Sequence, residues 1–373
     1  MMVESAGEIR MKNAYQVKTA NGGRYIDGVP MLKWGERKDN TYCGCMSALF
    51  EAAGVSATYE ELMGISGVCW QIIMRDDWDP SSQMPQNGKL CEKNVGDALG
   101  VDVYAMGDES QIAERAKRSI DRGIPVLMVG GRGAPEWTLL CGYTLEDGQD
   151  RFFGRTYFDG QHDEPAKKTI ENESPTVPEN EIYTDNRYVC FNGFPGWAPG
   201  ALTRFYDKKC EPISRKQALK VSLETCMMMF EQKPTDHHKF GYDAYDVLIF
   251  GFELDDDEYE KTCGNDCYHI GSLIDARRAA TVYLEASVGL LKGECQKKLA
   301  EIAKLYKNMT DNILAAVPYN ETTPVFNGTP DFTTATFTVA QRRKDIATAL
   351  GNNKELEREA RLMIRELLNH WDD

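Results

Sequence analysis

The sequence predicts an α+β fold in which N-terminal helices and an antiparallel sheet come first and an all-helical domain follows. Two observations predict the first part: short apolar runs alternate with helical patterns, and an Asp-Gly turn signal at residues 146–150 separates two strand-like runs. The helical period dominates later in the chain and predicts the second part. A turn-rich segment at residues 192–212 separates the patterns, so we predict domains at residues 1–200 and 201–373.

The elements of the first domain follow from the spacing of apolar residues and from the glycines that end each run. Residues 44–54 have apolar side chains at helical spacing, and the helix is expected to stop at Gly54. The β-favouring residues Trp70 and Ile72 predict a strand at residues 68–74. Further helices are predicted at residues 58–64, 92–99 and 109–122, and further strands at residues 101–105, 124–129, 137–143, 151–158 and 188–191.

The second domain is predicted to be a helical bundle. Apolar residues recur at i, i+3, i+4 and i+7 over residues 273–291, 299–313 and 356–371, which predicts three amphipathic helices. Residues 318–334 are rich in Thr, Pro, Asn and Gly and predict a loop or linker.

Charge and cysteine content exclude several classes of protein. The 373 residues include 43 Lys and Arg against 58 Asp and Glu, which gives a net charge of −15. Such a field repels a phosphate backbone, so we expect no nucleic-acid partner. No apolar segment has the length of a signal peptide or a membrane span, so we expect a cytoplasmic location and no membrane partner. The 11 cysteines are odd in number and scattered, which favours free thiols over a disulfide framework.

The start of the first helix has the features of a nucleophile site. A capping residue, Asn40 or Thr41, precedes Cys43 and Cys45 in the first turns. Unpaired N–H groups and the helix dipole at such a position stabilise a thiolate, which is what a cysteine nucleophile requires. The alternative is that Cys45, which shares a face with Leu49, is a small core residue.

Five segments, taken in order, carry a resemblance to a known family. They are residues 43–54 (CGCMSALFEAAG), 61–67 (ELMGISG), 123–129 (GIPVLMV), 137–143 (WTLLCGY) and 153–159 (FGRTYFD). They resemble the N-terminal domain of the butirosin-biosynthesis protein H family and, more distantly, the bacteriocin-leader-processing cysteine peptidases, both in the papain-like superfamily. The resemblance spans about residues 35–195 and implies a papain-like cysteine-peptidase or acyltransferase domain there.

The resemblance also implies roles for particular residues. Cys45 corresponds to the nucleophile, with Cys43 as the alternative, and the third, orienting position falls near Arg155 or Asp159. The family places a general-base histidine just before the strand that ends in Gly-Tyr, and this chain has Glu136 there. The usual Cys-His-Asp arrangement is therefore absent from the sequence. A carboxylate of ordinary pKa, such as Glu136 would have in water, is a poor base for a thiol.

Three functional hypotheses therefore remain open. The first is cysteine-dependent acyl transfer, or amide or thioester cleavage, on a small molecule or peptide, with an acyl carrier as a further partner. The second is a catalytically silent papain-like binding protein that has lost its base. The third is an interaction module that forms a homodimer through the helical domain.

Metal and cofactor signals are weak. Cys263, Cys267 and His269 lie within seven residues, but structural zinc takes four ligands, so we expect neither a metal nor a cofactor. The acidic clusters at residues 76–79 and 255–258 are predicted to be solvated faces.

Overall fold

A computed structural model of the chain describes residues 15–20, 22–32, 37–79, 88–105, 109–129, 136–146, 149–157, 189–191, 203–208, 211–317 and 337–371. Two compact units are present. The first unit is drawn from Met1–Leu32, Gly44–Ala57 and Tyr104–Tyr206, and the second unit from Lys33–Cys43, Thr58–Val103 and Asp207–Asp373. Both units are discontinuous in sequence.

Helices and strands are numbered in chain order. The strands are β1 (Gln16–Ala20), β2 (Gly23–Asp27), β3 (Ile73–Met74), β4 (Val101–Tyr104), β5 (Val126–Val129), β6 (Trp137–Glu146), β7 (Gln149–Arg155), β8 (Val189–Phe191), β9 (Thr203–Lys208) and β10 (Lys239–Phe240). The helices are α1 (Thr41–Ala52), α2 (Tyr59–Ser66), α3 (Gly88–Leu99), α4 (Ile112–Asp121), α5 (Arg215–Glu231), α6 (Tyr242–Glu253), α7 (Asp256–Thr262), α8 (Asp266–Ser287), α9 (Gly293–Ala316) and α10 (Ala340–Asn369). This mixture of helices and an antiparallel sheet confirms the α+β class.

The first unit contains a curled antiparallel sheet. Its strands run in the order β1-β2-β6-β5-β9, and β7 pairs with both β6 and β8. The predicted pairing of these two strands is present, since Glu146 of β6 pairs with Gln149 of β7. All residues of β5 are buried, as expected for a continuous apolar run in the middle of a sheet. A Cβ on Gly154 of β7 would lie 1.7 Å from the Leu139 carbonyl oxygen, so only glycine permits this approach of the strands.

The helices of the second unit pack through their predicted apolar faces. Helix α8 packs against α2 and α9, and α10 packs against α9, α6 and α5. Local side-chain caps begin several of these helices. The Thr58 hydroxyl accepts from Glu61 N before α2, and the Ser214 hydroxyl accepts from Gln217 N before α5. The bundle therefore has both the amphipathic spacing and the helix-start signals that the sequence contains.

The segment after α2 differs from the prediction of a strand at residues 68–74. Val68–Trp70 is a 3-10 turn, and only Ile73–Met74 is a strand, which pairs with β10. The carbonyl oxygens of Cys69 and Gln71 accept hydrogen bonds from the Arg277 guanidinium of α8. These carbonyls are thus bound to a side chain that is distant in sequence, and the apolar pattern gives no sign of it.

The later part of the chain is also not wholly helical, because β9 and β10 interrupt it. Strand β10 has only two residues and occurs because it pairs with β3 next to α6. Within the described part of the chain, no helix is both long enough and apolar enough to cross a bilayer.

Candidate functional site

Helix α1 begins as the sequence predicts. The Asn40 side-chain oxygen accepts a hydrogen bond from the backbone N–H of Cys43 at 3.0 Å, which makes Asn40 the N-cap. The N–H of Cys43 is one of the helix-start donors that would stabilise an oxyanion in the acyl-transfer hypothesis. It is bound to Asn40 instead, so the cap removes this donor from any reaction at the helix start.

The Cys43 thiol is completely buried in the second unit. Its sulfur lies 3.7 Å from the Ser66 hydroxyl at the end of α2. Burial raises the pKa of the Cys43 thiol well above its ordinary value, an effect that outweighs the lowering by Ser66, and the charge of Asp275 raises it further. The Cys43 side chain is therefore a neutral thiol at physiological pH, which is the opposite of an activated nucleophile.

The preferred nucleophile of the resemblance, Cys45, is also completely buried. It lies in α1 on the first-unit side of the division between the two units, which falls between residues 43 and 44. Its neighbours Met46, Leu49 and Phe50 are buried as well. The environment of this part of α1 is thus an apolar core, where a free cysteine packs as a small hydrophobic residue.

Two of the residues predicted to assist the cysteine lie at the open end of the β6–β7 hairpin, where Leu139 of β6 pairs with Arg155 of β7. Glu136 is half-buried directly before β6. Arg155 is the last residue of β7, and it is buried with its Nε donating to the Val29 carbonyl oxygen at 2.9 Å. The main-chain contact gives Arg155 a structural role in the first unit. Asp159 lies outside the described residues.

The third possible metal ligand of the segment with Cys263 and Cys267, His269, makes a structural contact. His269 is buried, and its Nε2 lies 3.1 Å from the carbonyl oxygen of Trp78. Because a carbonyl can only accept, Nε2 must carry the proton. In the described part of the chain, no group of three or more His, Cys, Asp or Glu side chains is arranged to hold a metal ion.

The second unit contains a groove of about 560 Å³ beside α6, which we call the acidic groove. One face of α6 forms its wall, with residues spaced by three, four or seven positions so that they lie on one side of the helix. Loops before β10 and after β3 and the end of α7 complete it. The lining residues on which the following argument rests are Asp76, Trp78, Lys239, Asp243, Asp246, Val247, Phe250 and Leu254.

Trp78 is held in an unusual conformation at this groove. Its φ is +55°, a left-handed value that a bulky side chain adopts only when its surroundings impose it. The His269 ring and the Asn265 side chain both donate to its carbonyl oxygen. Its ring packs against Gly251 of α6, where a Cβ would lie 2.3 Å from the indole, and edge-on against Phe252. Strained residues of this kind are frequent at functional sites.

The groove combines an acidic part with an apolar part. Asp243 and Asp246 lie in the first half of α6, whereas Phe250 lies near its end. The Phe250 side chain is 66% exposed, which is unusual for so large an apolar group. Residues that line a groove in this way provide both hydrophobic contact and orienting charge, as small-molecule sites do.

Sequence reasoning misses the acidic groove. It predicts a solvated acidic face at residues 76–79, yet Trp78 among them is buried against α6. The signal available in the sequence is Phe250, an aromatic residue on the same helical face as Asp243 and Asp246. Such a residue on an otherwise acidic, exposed face indicates either a contact or a site.

Comparisons with known proteins give no relative from which a function could be transferred. No model of a known protein family matches the chain, and no curated protein matches it.

Proposed function

We propose that the chain is a catalytically silent binding protein that accepts a small-molecule ligand in the acidic groove. The observation that carries the proposal is the groove itself: about 560 Å³ lies within the 300–1,000 Å³ usual for small-molecule sites. It combines apolar walls, an exposed aromatic side chain and a few charged groups, which is the usual composition of such sites.

Two features of the candidate cysteines support a silent protein over a cysteine-dependent acyltransferase. Both thiols are completely buried, and burial raises the pKa of Cys43. A nucleophile needs an accessible thiolate. The position at which the resembling family has a histidine is occupied by Glu136, so the sequence and the burial of the thiols favour the same proposal.

We also propose that the first unit is a papain-like domain and that the protein is cytoplasmic. The support for the first is the order of a cysteine-bearing helix followed by an antiparallel sheet of β5, β6 and β7. The support for the second is that the nine cysteines assigned a state in the described residues are all free thiols, as expected in a reducing compartment.

The loss of catalysis is tested by iodoacetamide labelling of the native full chain between about pH 5 and about pH 9. Peptide mass spectrometry locates each modified residue. We expect Cys43 and Cys45 to be labelled only after unfolding, while the half-buried Cys267 and Cys295 are labelled slowly in the native protein. Rapid labelling of Cys43 or Cys45 below neutral pH would instead establish an activated thiolate and favour acyl transfer.

Binding in the groove is tested without any assumption about ligand charge. A fragment library with equal numbers of cationic, neutral and anionic members is screened by saturation-transfer NMR against the native chain and against Phe250→Ala. Because Phe250 is 66% exposed, its truncation is expected to leave the fold intact. We expect fragment signals that weaken in the variant. A screen with no such signals would contradict a binding function for the groove.

A further inference from the structure

We infer that the acidic groove selects a small organic cation, in which an ammonium group is joined to an aromatic or branched aliphatic group by a short chain. This inference rests on the proposed function, because it names the ligand class that the groove would accept. Charge, apolar surface and spacing along α6 each support it.

The first support is the charge of the lining. Three carboxylates, Asp76, Asp243 and Asp246, line the groove with only Lys239 to oppose them among the lining residues. The Lys239 ammonium lies 3.8 Å from Asp76. Asp246 pairs with Lys354, which lies on α10, and no cation among the described residues pairs with Asp243. A cleft lined mainly by charges of one sign attracts ions of the opposite sign. The excess of carboxylates therefore makes the groove attract a cation and repel an anion.

The second support is the apolar surface next to these charges. Val247 and Phe250 follow the carboxylates along the same face of α6, and Leu254 lies directly after the end of the helix. Phe250 is the most exposed of these side chains, and contact with an apolar ligand would remove its ring from water. A simple inorganic cation would leave this surface unused, whereas an ammonium ion with an apolar group would cover it.

The third support is the distance between the two parts. A helix rises about 1.5 Å per residue, so Phe250 lies about 6 Å along the axis from Asp246 and about 10 Å from Asp243. The ligand therefore needs its ammonium group and its apolar group separated by a chain of a few carbon atoms. The volume of about 560 Å³ matches a ligand of this size.

The inference is tested by calorimetric titration of the full chain with three probes of the same shape. These are 4-phenylbutylamine, 4-phenylbutanol and 4-phenylbutanoate, which are cationic, neutral and anionic at neutral pH. We expect the amine to bind most tightly and the carboxylate most weakly. We also expect added salt to weaken the binding of the amine but not that of the alcohol, because salt screens exposed charges. Equal affinity for the amine and the alcohol, or no binding of the amine, would overturn the inference.

Variants locate the binding and separate its two components. Asp243→Asn should weaken the amine about three- to fivefold and leave the alcohol unchanged, as expected for one exposed charge pair. Phe250→Ala should weaken both probes about tenfold through lost apolar contact. The matched controls are Glu253→Gln, on α6 but outside the lining, and Leu362→Ala, which is 59% exposed on α10. If the control variants lost as much affinity for the amine as the groove variants, or if the groove variants lost none, the assignment of the binding site to the groove would be overturned.

The outcomes distinguish this inference from the proposed function. If the thiols of α1 stay unreactive and the fragment screen gives groove ligands that are mostly neutral or anionic, the ligand class is wrong and the binding function stands. If a thiol of α1 reacts rapidly at neutral pH, the silent-protein proposal fails regardless of how the amine behaves.

Discussion

The carbonyl oxygen of Trp78 accepts a hydrogen bond from Nε2 of His269, with 3.1 Å between the two atoms. This contact joins the wall of the acidic groove to α8. The Trp78 and His269 rings also meet edge to face, with 5.6 Å between their centroids. Because Trp78 has a strained φ, the contacts that hold it are expected to contribute both to stability and to the shape of the groove.

The Trp78–His269 contact predicts a dependence of stability on pH. Burial lowers the pKa of His269 from its ordinary value to about 4, an effect larger than the opposing one from the Trp78 carbonyl and the charge of Asp79. Between about pH 6.5 and about pH 4 the unfolded chain therefore binds a proton at this residue that the native protein does not. The stability from neutral His269 is present above about pH 6.5 and is lost as the pH falls towards 4.

The measurement is urea unfolding at pH 7 and pH 5. His269 should account for about 2 kcal/mol of the stability lost between these two values. In His269→Gln, whose amide can still donate to a carbonyl, that part of the pH dependence should disappear. His237→Gln, in an exposed turn, is the control and should keep the pH dependence of the native chain. An unchanged pH dependence in His269→Gln would contradict the assignment.

A buried ion pair in the second unit predicts a large loss of stability when it is broken. Arg277 Nη2 lies 2.6 Å from Glu357 Oε1, and both side chains are fully buried. The hydroxyl groups of Tyr245 and Tyr306 donate to the two carboxylate oxygens of Glu357. Glu357→Gln removes the negative charge and leaves the Arg277 guanidinium uncompensated. The free energy of unfolding should fall by about 3–5 kcal/mol, as measured by denaturant titration.

The control for this prediction is the exposed ion pair of Arg358 and Glu355 on the same helix, α10. Glu355→Gln should change the free energy of unfolding by less than about 0.5 kcal/mol, because exposed pairs contribute little. Equal losses for Glu357→Gln and Glu355→Gln would show that the buried pair has no special energetic role.

Local signals in the sequence predict many elements of the fold. The cap at Asn40, the stop at Gly54 and the apolar spacing of α8 and α9 are each contained within a few turns of chain, and the structure has the corresponding elements. The prediction of a strand at residues 68–74 is wrong because that segment is determined by distant contacts. The hydrogen bonds from Arg277 to the carbonyls of Cys69 and Gln71 join residues more than two hundred positions apart, and no local pattern encodes them.

The candidate site is harder to predict than the fold. A cysteine in the first turn of a helix looks the same in sequence whether its thiol faces a cleft or a core, and the burial of Cys43 is decided by α2 and α8. The groove depends on Trp78, whose carbonyl binds Asn265 and His269, 187 and 191 residues later. The acidic and apolar residues of the groove can be read from the sequence. That they line one common groove cannot, because it depends on contacts between distant segments.

The space around two helical glycines, Gly64 of α2 and Gly351 of α10, predicts opposite effects of their substitution by alanine. A Cβ on Gly64 of α2 would lie 2.1 Å from the Tyr283 ring of α8, so Gly64→Ala should lower the free energy of unfolding by about 1–3 kcal/mol through overpacking. A Cβ on Gly351 of α10 would meet no atom of the described residues within 4 Å, so Gly351→Ala should raise it by about 0.5–1 kcal/mol through helix propensity. The measurement is denaturant unfolding of the full chain carrying each substitution. If Gly64→Ala were as stable as Gly351→Ala, the close approach of α2 to Tyr283 would be wrong.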